Sequence, residues 1–228
     1  MKFYQNIKFI IVLVFFFFGC TKEDDSTPEE KVVPYPVQYE TDIKNIETFL
    51  KEHTMTVDSD FNVTYKKIEN PNVNNDISIM NQTNYPIQFI TVNDHGVNYK
   101  IYYISFREGV GTNPTLQDDS LVVYTGSYLS QKTDYHNESY ISNTTFDTIT
   151  EANWITLSYT MLGWKSIIPL FKSGNVTVTS GNTSYTDFGS GVMFLPSGMA
   201  YYNKEIRYVP KYSPLIWSFK LMDNRKTP

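Results

Sequence analysis

Seven residues near the C-terminus constrain the fold more than any other stretch. In Leu215, Ile216, Trp217, Ser218, Phe219, Lys220 and Leu221 the large side chains Leu215, Trp217, Phe219 and Leu221 recur at every second position. That is the period of a strand with one face on a core. A second alternation starts at Val97, where Val97, Tyr99, Ile101 and Tyr103 interleave with Asn98, Lys100, Tyr102 and Ile104. A third strand is expected over 121–126, after the turn residues Gly109, Gly111 and Pro114. With 16% aromatic residues, among them 18 Tyr and 15 Phe, the composition suits a pleated sheet better than a helical bundle.

The chain carries 24 acidic against 19 basic residues, so nothing in its balance favours nucleic acid, whose binders present basic faces. The three histidines, His53, His95 and His136, lie far apart, and the chain has no HExxH or CxxC spacing. No metal and no cofactor are expected. A Gly-x-Ser-x-Gly elbow is also missing, which leaves acyl chemistry without support.

The N-terminus has the form of an export signal: Lys2 and Lys8, then an apolar run over 9–18 that is too short to span a bilayer. It ends at Gly19-Cys20. Cys20 is the single cysteine of the chain, and an exported thiol without a disulfide partner would be a reactive liability. The pattern resembles a bacterial lipoprotein signal over 1–19, which implies acylation of Cys20 and attachment to a membrane through lipid. The charged residues of 20–34 are expected to form a flexible acidic tether. Lys22, Glu23, Asp24 and Asp25 resemble the surface-export signal of Bacteroidetes lipoproteins. The implied location is the bacterial outer membrane, on its periplasmic side or at the cell surface.

Residues 35–94 read as an extension. Thr41 can cap a helix from Asp42 to His53, whose Ile43, Ile46, Phe49 and Leu50 form one apolar stripe that docks or makes a homodimer. Short strands or extended loops are expected at 65–68 and 77–80, between Asn-rich turns.

From residue 95 onward the landmarks fall in a recognisable order. After Tyr124-Thr125-Gly126 come Phe146-Asp147, Met161-Leu162-Gly163-Trp164, Lys172-Ser173-Gly174, Pro196-Ser197-Gly198-Met199-Ala200-Tyr201, Val209-Pro210 and Leu215-Ile216-Trp217. This order resembles an FK506-binding-protein (FKBP)-type peptidyl-prolyl cis-trans isomerase domain over about 95–228. The resemblance implies an α+β fold, a twisted antiparallel β-sheet wrapped around a short α-helix. Trp164, Ile167, Ile168 and Phe171 supply that helix's stripe, and Pro169 is expected to shorten or break it.

The resemblance also implies a proline pocket. Trp164 would be its floor, Tyr124, Phe146 and Trp217 its walls, and Thr160, Met161 and Val209 its apolar rim. Asp147 and Tyr201 would be the catalytic polar groups, with the Met161 N–H holding a substrate carbonyl. The implied partners are proline-containing exported polypeptides; the alternative is a catalytically weak binding or chaperone module. Three departures stand out. Trp217 occupies a position where the family usually has Phe, and Tyr202 follows Tyr201 where Gly is usual. The long segment 127–145 could cover the pocket or add a contact surface.

Overall fold

The expected α+β class is the one observed. The structure, a computed structural model, describes residues 31–69 and 76–226. Its elements run α1 (Tyr35–Glu52), β1 (His53–Val57), β2 (Val63–Lys67), β3 (Gln88–Asp94), β4 (Val97–Arg107), β5 (Asp119–Thr133) and β6 (Ser139–Thr156). The short helix α2 (Leu162–Ile167) follows, then β7 (Asn175–Thr179), β8 (Asn182–Thr186), β9 (Gly189–Leu195) and β10 (Leu215–Arg225). Six strands form one antiparallel sheet in the order β3-β4-β9-β10-β5-β6, while β1-β2 and β7-β8 are separate hairpins. A sheet of this kind twists, and one of its faces packs on α2.

In β4, β9 and β10 alternation assigns the large apolar residues to one of two cores. Leu215, Trp217, Phe219 and Leu221 of β10 join Tyr99, Ile101, Met193 and Leu195 against Trp164, Ile167, Ile168 and Phe171. The intervening Ile216, Tyr102, Ile104, Val192 and Phe194 pack on the opposite face against Ile46, Phe49 and Leu50 of α1. Every residue of β9 is therefore buried. A central strand covered on both faces loses the polar alternation that betrays a half-exposed one, which is why 189–195 gave no period-two signal.

Several boundaries differ from the sequence reading. The N-terminal helix starts at Tyr35 rather than Asp42, because Pro34 is extended and Pro36 fits the first turn, where its missing N–H costs nothing. Thr41 is thus inside the helix and caps nothing. Of the two alternatives for 77–80, the structure has the loop, a coil and turn with Ser78 and Ile79 buried. The boundary expected between 94 and 95 falls inside the β3–β4 hairpin, where Asp94 pairs with Val97. Pro169 does break its helix: α2 ends at Ile167 and a separate 3-10 turn, Ile168–Leu170, carries the proline. The long segment 127–145 extends β5 and β6 as a hairpin whose Leu129 and Ile141 enter the α1-side core, so it supports α1 instead of covering a pocket. Cys20 and the signal segment lie outside the described residues. No helix among the described residues is long and apolar enough to cross a membrane.

Two buried groups make opposite contributions to stability. Burial raises the Asp42 carboxyl to about 6, opposed by hydrogen bonds from Ser197 and Gln38. Burial lowers the His53 imidazole to about 4. The folded state holds the Asp42 proton more tightly than the unfolded state, so this contribution is full below the ordinary value of 3.8 and is lost as pH rises through about 6. His53 behaves in the reverse sense: its contribution is full above 6.5 and is lost as pH falls toward about 4. Denaturant titrations between these limits should give a shallow wild-type profile. Asp42→Asn should lose stability on acidification and His53→Gln should gain it; parallel profiles for all three proteins would contradict the assignment.

Candidate active site

Six segments meet around one aromatic cavity of about 430 Å³. Tyr124 comes from β5, Asp147 and Ile155 from β6, and Tyr159, Thr160 and Met161 from the turn before α2. Trp164 comes from α2, Ala200 and Tyr201 from the turn after β9, and Trp217 from β10. A larger groove of about 620 Å³ between α1 and the β5–β6 hairpin is lined mainly by polar side chains such as Glu40, Lys44 and Gln131. The smaller cavity, with its converging aromatics and a carboxylate, has the character of a ligand site.

Trp217 is the hub of the aromatic walls. Tyr124, Phe146 and Trp164 meet its ring edge-to-face at centroid distances of 5.2, 5.3 and 5.5 Å, and Tyr124 meets Trp164 at 5.5 Å. Such pairs contribute roughly 0.5–1.5 kcal/mol beyond simple burial and fix ring orientation. The larger ring fits because its partner residue across the ladder is Gly126. A Cβ there would stand 2.5 Å from the Trp217 ring. Trp217 therefore extends over a neighbouring strand rather than filling the cavity.

Neighbours on a strand normally point to opposite faces, yet Phe146 packs on Trp217 and Asp147 lines the cavity. The ladder explains this. Gly126 pairs with Asp147 and Ser127 with Thr145, so Phe146 is the extra residue of a bulge.

Asp147 is the one carboxylate lining the cavity. Its Oδ1 lies 3.4 Å from the Arg207 guanidinium, and its Oδ2 accepts a long hydrogen bond of 3.4 Å from the Tyr124 hydroxyl. Burial, reinforced by the Asp147 charge, pushes the Tyr124 phenol up to about 12. Burial and Asp147 raise Tyr201 too, against Arg207, which lowers it. Both phenols are neutral donors at physiological pH. Met161 opens α2 in an extended conformation, and its N–H takes no acceptor among the described residues. The site thus offers donors, one carboxylate and apolar walls, and no activated nucleophile.

The structure brings Tyr124, Asp147, Thr160, Met161, Trp164, Tyr201 and Trp217 together as the sequence suggested, with Phe146 directly behind Trp217. Val209 is the exception. It turns inward through its bridge to Ile206 and is buried in the core, so it supports the rim without lining it. Ile155, Tyr159, Ala200 and Arg207 were not anticipated. Ala200 lay within the quoted motif beside Tyr201, whereas the pairing of Arg207 with Asp147 joins residues 60 apart and has no local signal. No three His, Cys, Asp or Glu side chains cluster as metal ligands among the described residues.

No family model and no curated protein matches the chain. Solved structures do. FkpA from Escherichia coli matches at 20% identity and a TM-score of 0.41 over 57% of this chain. A peptidyl-prolyl cis-trans isomerase from Pseudomonas syringae pv. tomato matches at 13% identity and a TM-score of 0.45, over 86% of this chain and 99% of that one. The N-terminal domain of FKBP42 from Arabidopsis thaliana matches at 12% identity and a TM-score of 0.40, over 57% of this chain and 89% of that one. The chain spans about 50% of the length of the Escherichia coli protein.

The Gly126–Trp217 fit has a testable consequence. Gly126→Ala should destabilise the protein by about 1–3 kcal/mol, the range for overpacking a filled core, and should perturb tryptophan fluorescence. Adding Trp217→Phe should recover much of that loss in denaturant titrations. If Gly126→Ala unfolds at the wild-type midpoint, the close approach is not real.

Proposed function

We propose that the protein is an FKBP-type peptidyl-prolyl cis-trans isomerase acting on exported polypeptides. The observation that carries this reading is the cavity itself: an aromatic floor and walls of Trp164, Trp217 and Tyr124 beside Asp147, Tyr201 and the open Met161 N–H. The chemistry needs nothing more. Rotation about an X-Pro bond is opposed by amide resonance, with a barrier of about 18–20 kcal/mol, and no covalent bond forms or breaks. An apolar enclosure removes the water that stabilises the planar, polar amide and suits the twisted, less polar transition state.

In this reading the pyrrolidine ring lies on the Trp164 indole, between Tyr124 and Trp217. The Met161 N–H and the Tyr201 hydroxyl hold the flanking carbonyls and so resist rotation of the rest of the chain. Asp147, held by Arg207 and Tyr124, presents negative charge beside the twisting amide. The same proposal includes an acylated Cys20 holding the protein at the outer membrane. Loss of fatty-acid labelling in Cys20→Ala tests that part, and unchanged labelling would refute it.

Catalysis is tested by following cis/trans exchange of a proline tetrapeptide. Wild type should accelerate it. Tyr201→Phe should lower kcat/KM by up to about tenfold, the equivalent of one neutral hydrogen bond at ~1.5 kcal/mol. Asp147→Ala should lower it by roughly ten- to a hundredfold while the fold persists, as charged hydrogen bonds contribute about 1.5–3 kcal/mol. A folded wild type that binds the peptide without accelerating exchange would overturn the catalytic reading and leave a binding module.

A further inference from the structure

We propose that the first two turns of α1, together with Val33, form a brace that positions Tyr201 in the pocket, with Asp42 and Tyr202 as its positioning residues. This inference rests on the isomerase reading for its catalytic consequence, though not for its geometry. The wall it supports is the chain between β9 and β10, which carries Ala200, Tyr201 and Arg207.

The brace grips that wall at both ends. At the first, the Asp42 Oδ2 accepts the Ser197 N–H at 2.7 Å and the Ser197 hydroxyl at 2.6 Å, and Oδ1 accepts the Gln38 side-chain amide at 2.7 Å. Asp42 is 1% exposed and Ser197 0%. A buried carboxylate in the middle of an amphipathic helix costs stability unless its donors are in place, so this one fixes the turn Ser197–Met199 against α1. Tyr201 begins two residues beyond that turn.

At the second end, Tyr35 is stacked between His95 and Tyr202, with centroid distances of 3.9 and 3.8 Å. The Tyr202 hydroxyl donates to the Val33 carbonyl, the Val33 N–H donates to the Tyr212 hydroxyl at 3.1 Å, and Gln38 reaches the Tyr212 carbonyl at 3.4 Å. Residues 33–34, expected to belong to a loose tether, are thus part of the folded unit at the point where the wall returns to β10.

Tyr202 is the telling residue. Its φ is +53°, a left-handed conformation that glycine adopts freely and a bulky aromatic does not. Glycine is what the resemblance leads one to expect there. This chain keeps the strained backbone and fills the position with a ring that is 7% exposed and clamped by α1. Within the loop, the Tyr202 N–H donates to the Ser197 carbonyl and the Tyr212 ring meets Tyr202 edge-to-face; the N-terminal segment adds the Tyr35 stack and the Val33 carbonyl, and the turn sends Tyr202 toward α1 while Tyr201 lines the cavity.

The test compares full-length variants by prolyl exchange kinetics and by amide hydrogen exchange over 197–202. Asp42→Ala should lower kcat/KM by about tenfold, as expected for one or two lost positioning hydrogen bonds, and should speed exchange at these amides. Asp42→Asn, which keeps an acceptor of the same size, should recover most of both. Tyr202→Gly relieves the backbone strain but removes the buried ring, its stack on Tyr35 and its hydrogen bond to Val33, so it should lose stability and lower kcat/KM together. Phe49→Leu, in the core at the other end of the helix, should lower the melting temperature and leave kcat/KM unchanged. The brace is refuted if Asp42→Ala and Tyr202→Gly turn over like wild type, or if Phe49→Leu loses activity in proportion to stability. Should Asp42→Ala fail to fold, Tyr202→Gly decides. Should wild type itself be inactive, the isomerase reading fails, and the amides decide the brace: faster exchange in Tyr202→Gly but not in Phe49→Leu upholds it, and equal exchange removes it.

Discussion

Everything in this fold depends on a sheet whose central strands are buried on both faces. In β10 alternate residues belong to different cores: Trp217 and Phe219 face α2, and Ile216 faces α1. A one-residue slip in this strand would exchange the two sets, so the register of β9 and β10 is strongly specified. The same register places Trp217 opposite Gly126 and thereby sets the orientation of the aromatic hub. The pocket is a consequence of core packing, with one ring of the hub turned toward solvent-accessible space.

The second cover follows from that constraint. A sheet buried on both faces needs a helix on its outer side, and α1 supplies Ile46, Phe49 and Leu50. Its C-terminal half is spent on burial, while its N-terminal half, beginning at Tyr35, carries polar and aromatic groups that tie down the wall of the cavity. One helix therefore serves both stability and site geometry. Asp42 joins the two roles, being an acid that the fold keeps partly protonated near pH 6 and whose oxygens hold a turn of the pocket.

Much of this was legible in the sequence wherever the signal was local. The alternation of Leu215, Trp217, Phe219 and Leu221 specified a strand and its buried face, and the disruption at Pro169 followed from proline's missing N–H. The ordered landmarks placed Tyr124, Asp147, Trp164 and Tyr201 in one site. What escaped was non-local. The bulge at Phe146 is a property of two strands, the pairing of Arg207 with Asp147 joins distant loops, and the role of Tyr202 depends on a helix more than a hundred residues earlier. Thr41 was a reasonable cap by residue type, but the proline pair Pro34 and Pro36 pre-set the helix about two turns earlier, where no side chain caps it.

The central claim is that the cavity over Trp164 receives a proline ring. A crystal structure of the protein with a proline-containing tetrapeptide tests it most directly. The account requires the pyrrolidine ring on the Trp164 indole between Tyr124 and Trp217, with a peptide carbonyl on the Met161 N–H and another on the Tyr201 hydroxyl. Peptide bound instead in the polar groove between α1 and the β5–β6 hairpin, with the Trp164 cavity empty, would contradict it.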